Sequence, residues 1–271
     1  MPGVILAVLD HPAAAQALLT AARRLAQLAG ATRINALVVR APPETMVSPS
    51  EEVLTEQREA HLRAAEASRV GKVRAVFDAW SSEVPSTIKV EWLDIDGIAE
   101  LLVEERGRRA DYIVVEQPSR HDYGISWHAL RAALFATDRP VLLVPHHHAA
   151  EFGRRIAIAW RNDERATKAV LTVLNTVKRP DRTFVLTGTR GGTAPPELPS
   201  ILAEHGITAE LHVLPIASGS FGKSLLQKAH ELGADMLVMG AYQHTPIREL
   251  LLGGVTRYML SHADIPVLMR H

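Results

Sequence analysis

The chain alternates between two hydrophobic patterns along its length. Short runs rich in Val, Ile and Leu are apolar at nearly every position, which is typical of parallel strands covered on both faces. Between them, segments such as AAAQALLTAARRLAQLA and ERATKAVLTVLNTV carry apolar residues at helical spacing. The alternation predicts right-handed crossovers and doubly wound α/β sheets. The predicted strands are Gly3–Leu9, Arg33–Val39, Ile88–Leu93, Tyr112–Glu116, Val141–Pro145, Arg155–Trp160, Thr183–Thr187, Ala209–Leu214, Met236–Met239 and Val267–Arg270.

This pattern occurs twice, which indicates an internal repeat. The string ADYIVVEQP matches ADMLVMGAY, and ALFATDRPVLLVPH matches YMLSHADIPVLMRH. The openings VILAVLDHPAAAQALLTAA and RIAIAWRNDERATKAVLTVL also match. We therefore predict two tandem doubly wound α/β domains, residues 1–150 and 151–271. The segment Glu44–Trp80 is an insertion in the first half, for which we predict one or two extra helices that begin after Ser48 and Ser50.

Length and composition exclude several classes of protein. A chain of 271 residues fits two domains of ordinary size. Lys+Arg and Asp+Glu balance at 30 each, so bulk charge favours neither a nucleic-acid nor a membrane partner. Cysteine is absent, which excludes disulfides and thiolate zinc sites and fits a reducing compartment. Since the sequence shows no secretory signal and no run of ~20 apolar residues, we expect a soluble, cytoplasmic protein.

The stretch ASGSFGKS, from Ala217 to Ser224, ends like a phosphate-binding P-loop. A P-loop has the form G-x-x-x-x-G-K-[ST], in which the first glycine allows a tight turn around the phosphates. Ala217 occupies that first position, and the acidic residue expected near Mg²⁺, Asp235, precedes its strand instead of following it. We therefore interpret the stretch as a helix start, capped by Ser218 or Ser220.

A second glycine-rich segment, MGAYQHTPIRELLLGGVTRYML, follows the next predicted strand. Gly240 lies where that strand ends, and ligands of open α/β sheets bind outside the carboxyl ends of strands. Gly253 and Gly254 open a helical segment whose N–H groups can face an anion. Together with His244 and Arg248 they form a candidate site for a phosphate or another small anion. In the alternative interpretation, Arg248 is a solvated helical residue and the glycines only permit close packing.

Three features resemble the universal stress protein family: the twofold α/β repeat, GADMLVMGAY and RELLLGGVTRYMLSHADIPVLM. The resemblance covers essentially the whole chain, as a tandem two-domain member. It implies two Rossmann- or flavodoxin-like domains, of the adenine nucleotide alpha hydrolase-like type, that are related by a pseudo-twofold axis. It also implies that the final strands, in PVLLVPH and PVLMRH, pair so that one chain mimics a family dimer. A homodimer of the whole chain is left open.

Members of this family that bind ATP share the motif G-x-x-G-x9-G-[ST]. Laid on this sequence, the motif matches at Gly240 and Gly253, whereas Gln243 and Gly254 occupy the positions of the second glycine and the Ser/Thr. Thr256 lies close to the last position. The resemblance therefore implies ATP binding by the second half through an altered motif. The candidate ligand-binding residues are Gly240, His244, Arg248, Gly253, Gly254 and Thr256.

The two halves depart from the family at complementary positions. The family's adenine-reading Asp, at the end of the first strand, falls on Arg161 in the second half, whereas the first half keeps Asp10 there. Glu116 of the first half stands where the second has Gly240, and a carboxylate at that point would repel phosphate. We therefore expect no nucleotide in the first half. ATP remains a candidate ligand of the second half, and no other cofactor is implied.

The remaining polar clusters do not assemble a general acid, a base and an orienting partner. His146, His147 and His148 form a run whose outer members can chelate a metal ion together. A zinc site needs further ligands, so an exposed connection is the preferred interpretation and no metal-binding residue is assigned. Asp94 and Asp96 stand together in LDIDG, where Asp96 is expected to cap the helix GIAELLVEERG.

Three functional hypotheses follow. The first is a non-catalytic stress-response protein that acts through a protein partner or a small ligand. The second is an ATP-binding, weakly hydrolysing stress protein that uses the Gly240–Gly254 segment. The third is a metal-binding module that uses the His146–His148 run.

Overall fold

A computed structural model describes the chain at residues 3–45, 55–118, 125–146, 150–161, 163–177, 180–190, 197–216, 220–241 and 254–271. The described residues form two compact units. The first unit contains residues 3–116 and 125–139, and the second contains residues 117–118 and those from 140 onward. The domains 1–150 and 151–271 remain a prediction from the sequence repeat.

The first unit is a four-stranded, all-parallel α/β layer. Its strand order is β3-β2-β1-β4, so β1 and β4 are neighbours although β2 and β3 lie between them in the sequence. A short 3-10 turn, Pro43–Thr45, follows β2. The elements are β1 (Gly3–Val8), α1 (Pro12–Ala29), β2 (Ala31–Arg40), α2 (Glu56–Ser81), β3 (Lys89–Asp96), α3 (Ala99–Gly107), β4 (Tyr112–Glu116) and α4 (Ile125–Ala136).

The second unit repeats this arrangement and adds one antiparallel strand. Its strand order is β5-β10-β9-β6-β7-β8. The strands from β10 to β8 are parallel, whereas β5 runs antiparallel to β10, with Leu143 opposite Val267. The elements are β5 (Val141–Val144), β6 (Arg155–Trp160), α5 (Glu164–Thr176), β7 (Arg182–Thr189), α6 (Ser200–Glu204), β8 (Glu210–Pro215), α7 (Phe221–Glu231), β9 (Met236–Gly240), α8 (Gly254–His262) and β10 (Val267–Arg270).

Burial of the strands agrees with the sequence pattern. Central strands β1, β4, β6 and β9 are buried at consecutive positions, because helices cover both faces of a parallel sheet. All ten predicted strands are present, with ends that differ by a few residues. The predicted doubly wound α/β class is confirmed, as is the pairing of PVLLVPH with PVLMRH through β5 and β10. Among the described helices, none is long and apolar enough to cross a membrane.

Strand order also fixes where each unit can hold a ligand. In the first unit the chain leaves β1 toward β2 on one side and returns to β4 on the other, so the order switches between β1 and β4. In the second unit the same switch lies between β6 and β9. Loops leave such a point in opposite directions and open a crevice at the carboxyl ends of the strands. Asp10 and Gly240 both lie at these ends.

One local prediction, the Asp96 cap, needs correction, and the prediction of one or two helices in the insertion is met by one. Asp96 does not cap a helix, because it ends β3 and the N-cap position of α3 is Ile98, which has no side-chain acceptor. Its neighbour Asp94 instead accepts hydrogen bonds from the Arg40 guanidinium, from Nε at 2.5 Å. The insertion forms one long helix, α2, which is capped by Thr55 through a hydrogen bond from Arg58 N–H. The predicted start after Ser48 and Ser50 lies outside the described residues.

The near-P-loop stretch is a helix start, as predicted, and its Lys and Ser point into solvent. Helix α7 has Ser220 at its N-cap position, although the Ser220 side chain accepts no capping hydrogen bond. Lys223 and Ser224 are both exposed. The carboxylate of Asp235 accepts a hydrogen bond from Gly153 N–H at 2.8 Å at the amino end of β9, far along the strand from where phosphates would lie. Ala217 and Ser218 lie outside the described residues.

Gly222 has a packing role that explains the glycine of the GKS string. A Cβ atom built at Gly222 would lie 2.6 Å from Tyr258 Cβ and 2.9 Å from its Cγ. Those atoms belong to the base of the Tyr258 side chain and cannot swing away. Helices α7 and α8 can therefore approach closely only because position 222 has no side chain.

We expect Gly222→Ala to lower the free energy of unfolding by about 1–3 kcal/mol, because the added methyl group overpacks the contact with Tyr258. The matched control is Gly71→Ala in the interior of α2, where a Cβ atom meets nothing within 4 Å. There, alanine is expected to raise the free energy of unfolding by up to about 1 kcal/mol. Urea denaturation followed by far-UV circular dichroism measures both. Equal stability of the two variants would contradict the packing role.

Candidate functional site

A pocket of about 260 Å³ lies in the second unit, at the carboxyl ends of β6, β7 and β9. Its walls are mainly apolar, with Trp160 from β6, Leu186 from β7 and Met239 from β9 among them. Ile216 and Phe221 close another side. The pocket therefore occupies the position that the strand order favours for a ligand.

The structure brings three of the predicted site residues together on this pocket. Gly240 ends β9, while Gly254 begins α8 and Thr256 lies two residues further into that helix. A Cβ atom at Gly254 would meet nothing within 4 Å, so the space in front of it is open. Thr256 is buried. The other candidate residues, His244, Arg248 and Gly253, lie outside the described residues, as does Gln243.

Arg161 lies at the pocket edge but is already engaged by a neighbouring carboxylate. Its Nε donates to Asp163 Oδ2 at 2.6 Å, and its terminal nitrogen contacts the same oxygen. Asp163 Oδ1 in turn accepts the Ala166 N–H at 2.9 Å and so caps α5. The acidic group near the end of β6 is therefore Asp163, which the sequence analysis missed. Its two oxygens are committed to the helix cap and to Arg161.

Gly188 determines the shape of the opposite wall. A Cβ atom at this position of β7 would lie 2.8 Å from Ile216 Cδ1 and from the Phe221 ring. Because position 188 has no side chain, these two apolar groups can close over the strand. Among the described lining residues, the only ionisable groups are Arg161 and Asp163, which are paired. The described walls thus offer apolar contact and helix N–H groups, but no free general acid or base.

The corresponding point of the first unit is filled by polar side chains. Asp10 follows β1, Glu116 ends β4 and Ser126 lies in the first turn of α4, and all three are buried. Ser126 Oγ lies 2.7 Å from Asp10 Oδ2 and also contacts Glu116 Oε1. His11 Nδ1 contacts Glu116 Oε1 and lies 3.8 Å from Asp10 Oδ2. Glu116 thus takes part in a buried cluster at the point where the sequence analysis expected it to repel phosphate.

Helix α2 contributes a cation to this cluster. Arg69 Nη1 donates to the Asp10 backbone oxygen at 2.7 Å and to Asp10 Oδ1 at 3.1 Å, and its Nη2 donates to the Val39 backbone oxygen at 2.7 Å. The same guanidinium forms two hydrogen bonds with Glu66, at 2.8 and 2.7 Å. Glu66 also accepts the Ala41 N–H at 3.1 Å. Arg69 therefore ties the insertion helix to the ends of β1 and β2.

Burial and pairing move the two carboxyl groups in opposite directions. Burial raises the pKa of Asp10 above its ordinary value, and the Ser126 hydrogen bond, His11 and Arg69 only partly offset this effect. Burial also acts to raise the pKa of Glu66, but hydrogen bonds from Arg69 outweigh it and leave that pKa below its ordinary value. Ionised Glu66 therefore stabilises the fold, whereas burial opposes ionisation of Asp10.

The cluster contains a serine, a histidine and an acid, but it is not arranged as a catalytic triad. Ser126 Oγ is 3.4 Å from His11 Nδ1, and its closer contacts are to the two carboxylates. Ser126 is 3% exposed, so a substrate cannot reach its hydroxyl group unless the surrounding side chains move. In a triad, the base takes the proton of an accessible nucleophile. The hydroxyl of Ser126 instead serves as a buried donor to carboxylate.

A sequence signal for this cluster existed. Asp10-His11 follows the first predicted strand and Glu116 ends the fourth, and neighbouring parallel strands bring their carboxyl ends together. Ser126 and Arg69 gave no such signal, because they lie on helices whose packing the sequence did not specify. The structure places His146, exposed, after β5, and its neighbours His147 and His148 lie outside the described residues.

Comparison with known proteins gives a family match for the second half. Residues 147–271 match the model of the Universal stress protein family. A universal stress protein from Archaeoglobus fulgidus DSM 4304 is 15% identical, with a TM-score of 0.70 over 98% of this chain and 95% of that chain. The functionally unknown protein PA1789 from Pseudomonas aeruginosa PAO1 is 14% identical, with a TM-score of 0.54 over 98% and 92%. At these identities the likeness shows the fold alone. No curated protein sequence matches the chain.

We expect Arg69→Met to lower the free energy of unfolding by about 3–5 kcal/mol, because it leaves Asp10 and Glu66 buried without their cation. The matched control is Arg63→Met on the same helix, where an exposed pair with Glu59 is worth about 0–1 kcal/mol. Urea denaturation at neutral pH compares the two. A loss in Arg69→Met no larger than that in Arg63→Met would contradict the structural role of Arg69.

A second expectation concerns the pH dependence of Glu66. Because its pKa is lowered in the folded protein, its stabilising effect is fully present above the ordinary glutamate pKa of about 4.3 and is lost as the pH falls through the folded pKa. The stability difference between wild type and Glu66→Gln should therefore be largest near neutral pH and shrink in acid. A difference that stays constant from pH 7 into the acid range would show that charge at Glu66 does not matter.

Proposed function

Because residues 147–271 match the model of the Universal stress protein family, we propose that this protein is a non-catalytic stress-response protein that acts by binding a small ligand in the second-unit pocket. The observation that carries the proposal is the position of that pocket at the switch between β6 and β9. Action through a protein partner that senses the ligand belongs to the same proposal.

The pocket walls indicate the chemistry of the ligand. Trp160, Leu186 and Met239 favour an apolar or flat aromatic group. At the β9 end, Gly240 lines the pocket and the space in front of Gly254 is open. The N–H groups in the first turn of α8 are not used in the helix's own hydrogen bonds, which favours an anionic group there. A ligand with a flat ring and an anionic tail matches both ends. Adenine nucleotides have this form, and they are the first probes to test.

Binding of ATP is the second candidate function, and Gly254 is the observation that favours it. The open space in front of Gly254 would accept a phosphate close to the start of α8. The pocket volume of about 260 Å³ lies just below the ~300–1,000 Å³ of typical ligand pockets, which favours a compact ligand. Against ATP, the Asp163 carboxylate is already bonded to Arg161, so it is not available to hydrogen-bond an adenine ring.

We propose that this pocket is not catalytic, because its described walls lack the side chains that hydrolysis needs. Hydrolysis of a phosphoanhydride needs a positioned water and stabilisation of the developing charge, for which acidic metal ligands and basic side chains are the usual parts. The described lining offers only Arg161 and Asp163, which neutralise each other. We therefore expect a bound nucleotide to be recovered unchanged.

Titration calorimetry of tag-free protein with ATP and Mg²⁺, with AMP and with inorganic phosphate tests the proposal. Quenching of tryptophan fluorescence by the probe, compared between the wild type and a Trp160→Phe variant, shows whether the probe enters this pocket. Gly254→Val should weaken binding at least about tenfold, since its side chain fills the open space without strain in the fold. The matched control is Ser261→Val on the same helix, outside the pocket lining, which should leave affinity unchanged.

Each outcome decides between the candidates. Nucleotide binding that is lost in Gly254→Val and retained in Ser261→Val supports the pocket as the ligand site. ATP binding with release of ADP would overturn the non-catalytic assignment and favour the weakly hydrolysing alternative. Binding that is equal in both variants, or no binding of any probe at millimolar concentration, would remove the anionic ligand from the proposal.

A further inference from the structure

We infer that Asp10, His11 and Glu116 form a binding site for a divalent first-row transition-metal ion in the first unit. One ligand atom from each of these residues lies within 4.8 Å of the others. The cluster uses none of the residues of the second-unit pocket, so this inference stands independently of the proposed nucleotide function.

Polar atoms of Asp10, Glu116 and Ser126 crowd together at the ends of β1 and β4. Ser126 Oγ lies within hydrogen-bond distance of Asp10 Oδ2 and also of Glu116 Oε1, but a hydroxyl group has a single proton to donate. His11 Nδ1 contacts the same Glu116 oxygen. Two carboxylate oxygens, one from Asp10 and one from Glu116, therefore share a single hydroxyl proton. A cation bound between them would be attracted to both carboxylates at once.

The charges around the cluster lead to the same conclusion. Asp10, Glu66 and Glu116 are three buried carboxylates, whereas Arg69 is the one guanidinium that bonds to this group among the described residues. Most of the bonds of Arg69 go to Glu66 and to backbone oxygens, and it makes only one, at 3.1 Å, to a carboxylate oxygen of Asp10. Buried charges are normally paired or bound to metals.

Glu116 provides an independent sign of a missing ligand. Glu116 is 3% exposed, and its Oε2 atom is buried with no hydrogen-bond partner among the described residues. A buried carboxylate oxygen without a partner carries the full cost of its desolvation. Because Oε1 of the same carboxylate already contacts His11 and Ser126, Oε2 is the atom that remains available to a metal ion.

The donor set selects the class of metal. One imidazole nitrogen with two carboxylate oxygens suits zinc and other first-row divalent ions, whereas Mg²⁺ and Ca²⁺ prefer oxygen ligands alone. In a tetrahedral site with metal–ligand distances of about 2.0–2.2 Å, neighbouring ligand atoms lie about 3.3–3.6 Å apart. His11 Nδ1 lies 3.8 Å from Asp10 Oδ2, close to this spacing, whereas its contact with Glu116 Oε1 is shorter. Metal binding therefore requires the Glu116 carboxylate to turn so that Oε2 faces the ion.

The position of His11 gives the ion a route into the cluster. Its side chain is 44% exposed, whereas those of Asp10 and Glu116 are 7% and 4% exposed. A metal ion can therefore reach the buried carboxylates past the imidazole ring without unfolding the unit. An exposed His–carboxylate pair elsewhere in the unit, His128 with Glu100 at 3.0 Å, has the same two groups, but among the described residues no third His, Asp or Glu lies close enough to complete a site.

The test is titration calorimetry of tag-free, chelator-treated protein with Zn²⁺, Mn²⁺ and Mg²⁺. All proteins carry His146→Ala, His147→Ala and His148→Ala, so that the histidine run cannot contribute. We expect one Zn²⁺ per chain, weaker Mn²⁺ binding and no Mg²⁺ binding. Glu116→Gln keeps the size of the side chain and should weaken Zn²⁺ binding at least about tenfold. The matched control, Glu100→Gln, should bind as the parent does.

A second variant and a direct readout cover the case in which Glu116→Gln does not fold. His11→Asn alters a half-exposed residue and should also weaken Zn²⁺ binding at least about tenfold. In protein labelled with ¹⁵N in its imidazole rings, Zn²⁺ should shift the Nδ1 resonance of His11 and leave that of His128 in place. Absence of Zn²⁺ binding, equal binding in the His11 variant, or Mg²⁺ binding as tight as that of Zn²⁺ would each overturn the inference.

Discussion

The structure depends on one constraint: parallel strands bring their carboxyl ends to a single edge, and the chain leaves that edge in opposite directions where the strand order switches. The space that results must be filled or left open. The first unit fills it with Asp10, Glu116 and Ser126, whereas the second leaves a pocket in front of Gly240 and Gly254. Chemistry at the same topological position is therefore decided by the few side chains that follow the strands.

Helix α2 accounts for much of the difference in the first unit. Its Arg69 reaches the backbone oxygens at the ends of β1 and β2, and so replaces hydrogen bonds that a ligand or water would otherwise provide. In the corresponding part of the second unit, the one helix among the described residues is the short α6. Without a cation from such a helix, its pocket keeps apolar walls and uncovered backbone. An insertion in the sequence has thus become part of a site.

The sequence predicted the elements better than the contacts between them. Continuous apolar runs identified the central strands, because burial on both faces leaves a strong pattern in strands such as β4 and β6. Asp163 was missed because its importance depends on the turn that brings it back to Arg161. Arg69 and Ser126 were missed because helical periodicity states which face is buried, not which neighbour it meets. Gly222 could not be explained until Tyr258 was placed beside it.

The pairing of β5 with β10 has a consequence for how the chain is made. Strand β5 comes from the middle of the sequence, whereas β10 closes it, so the two can pair only after all the strands of the second unit have been synthesised. At about 5–20 residues per second, that interval lasts several seconds. During it the apolar residues of β5 have no β10 to meet. The order of synthesis thus makes the pairings of β10, with β5 and with β9, the last to form in the second unit.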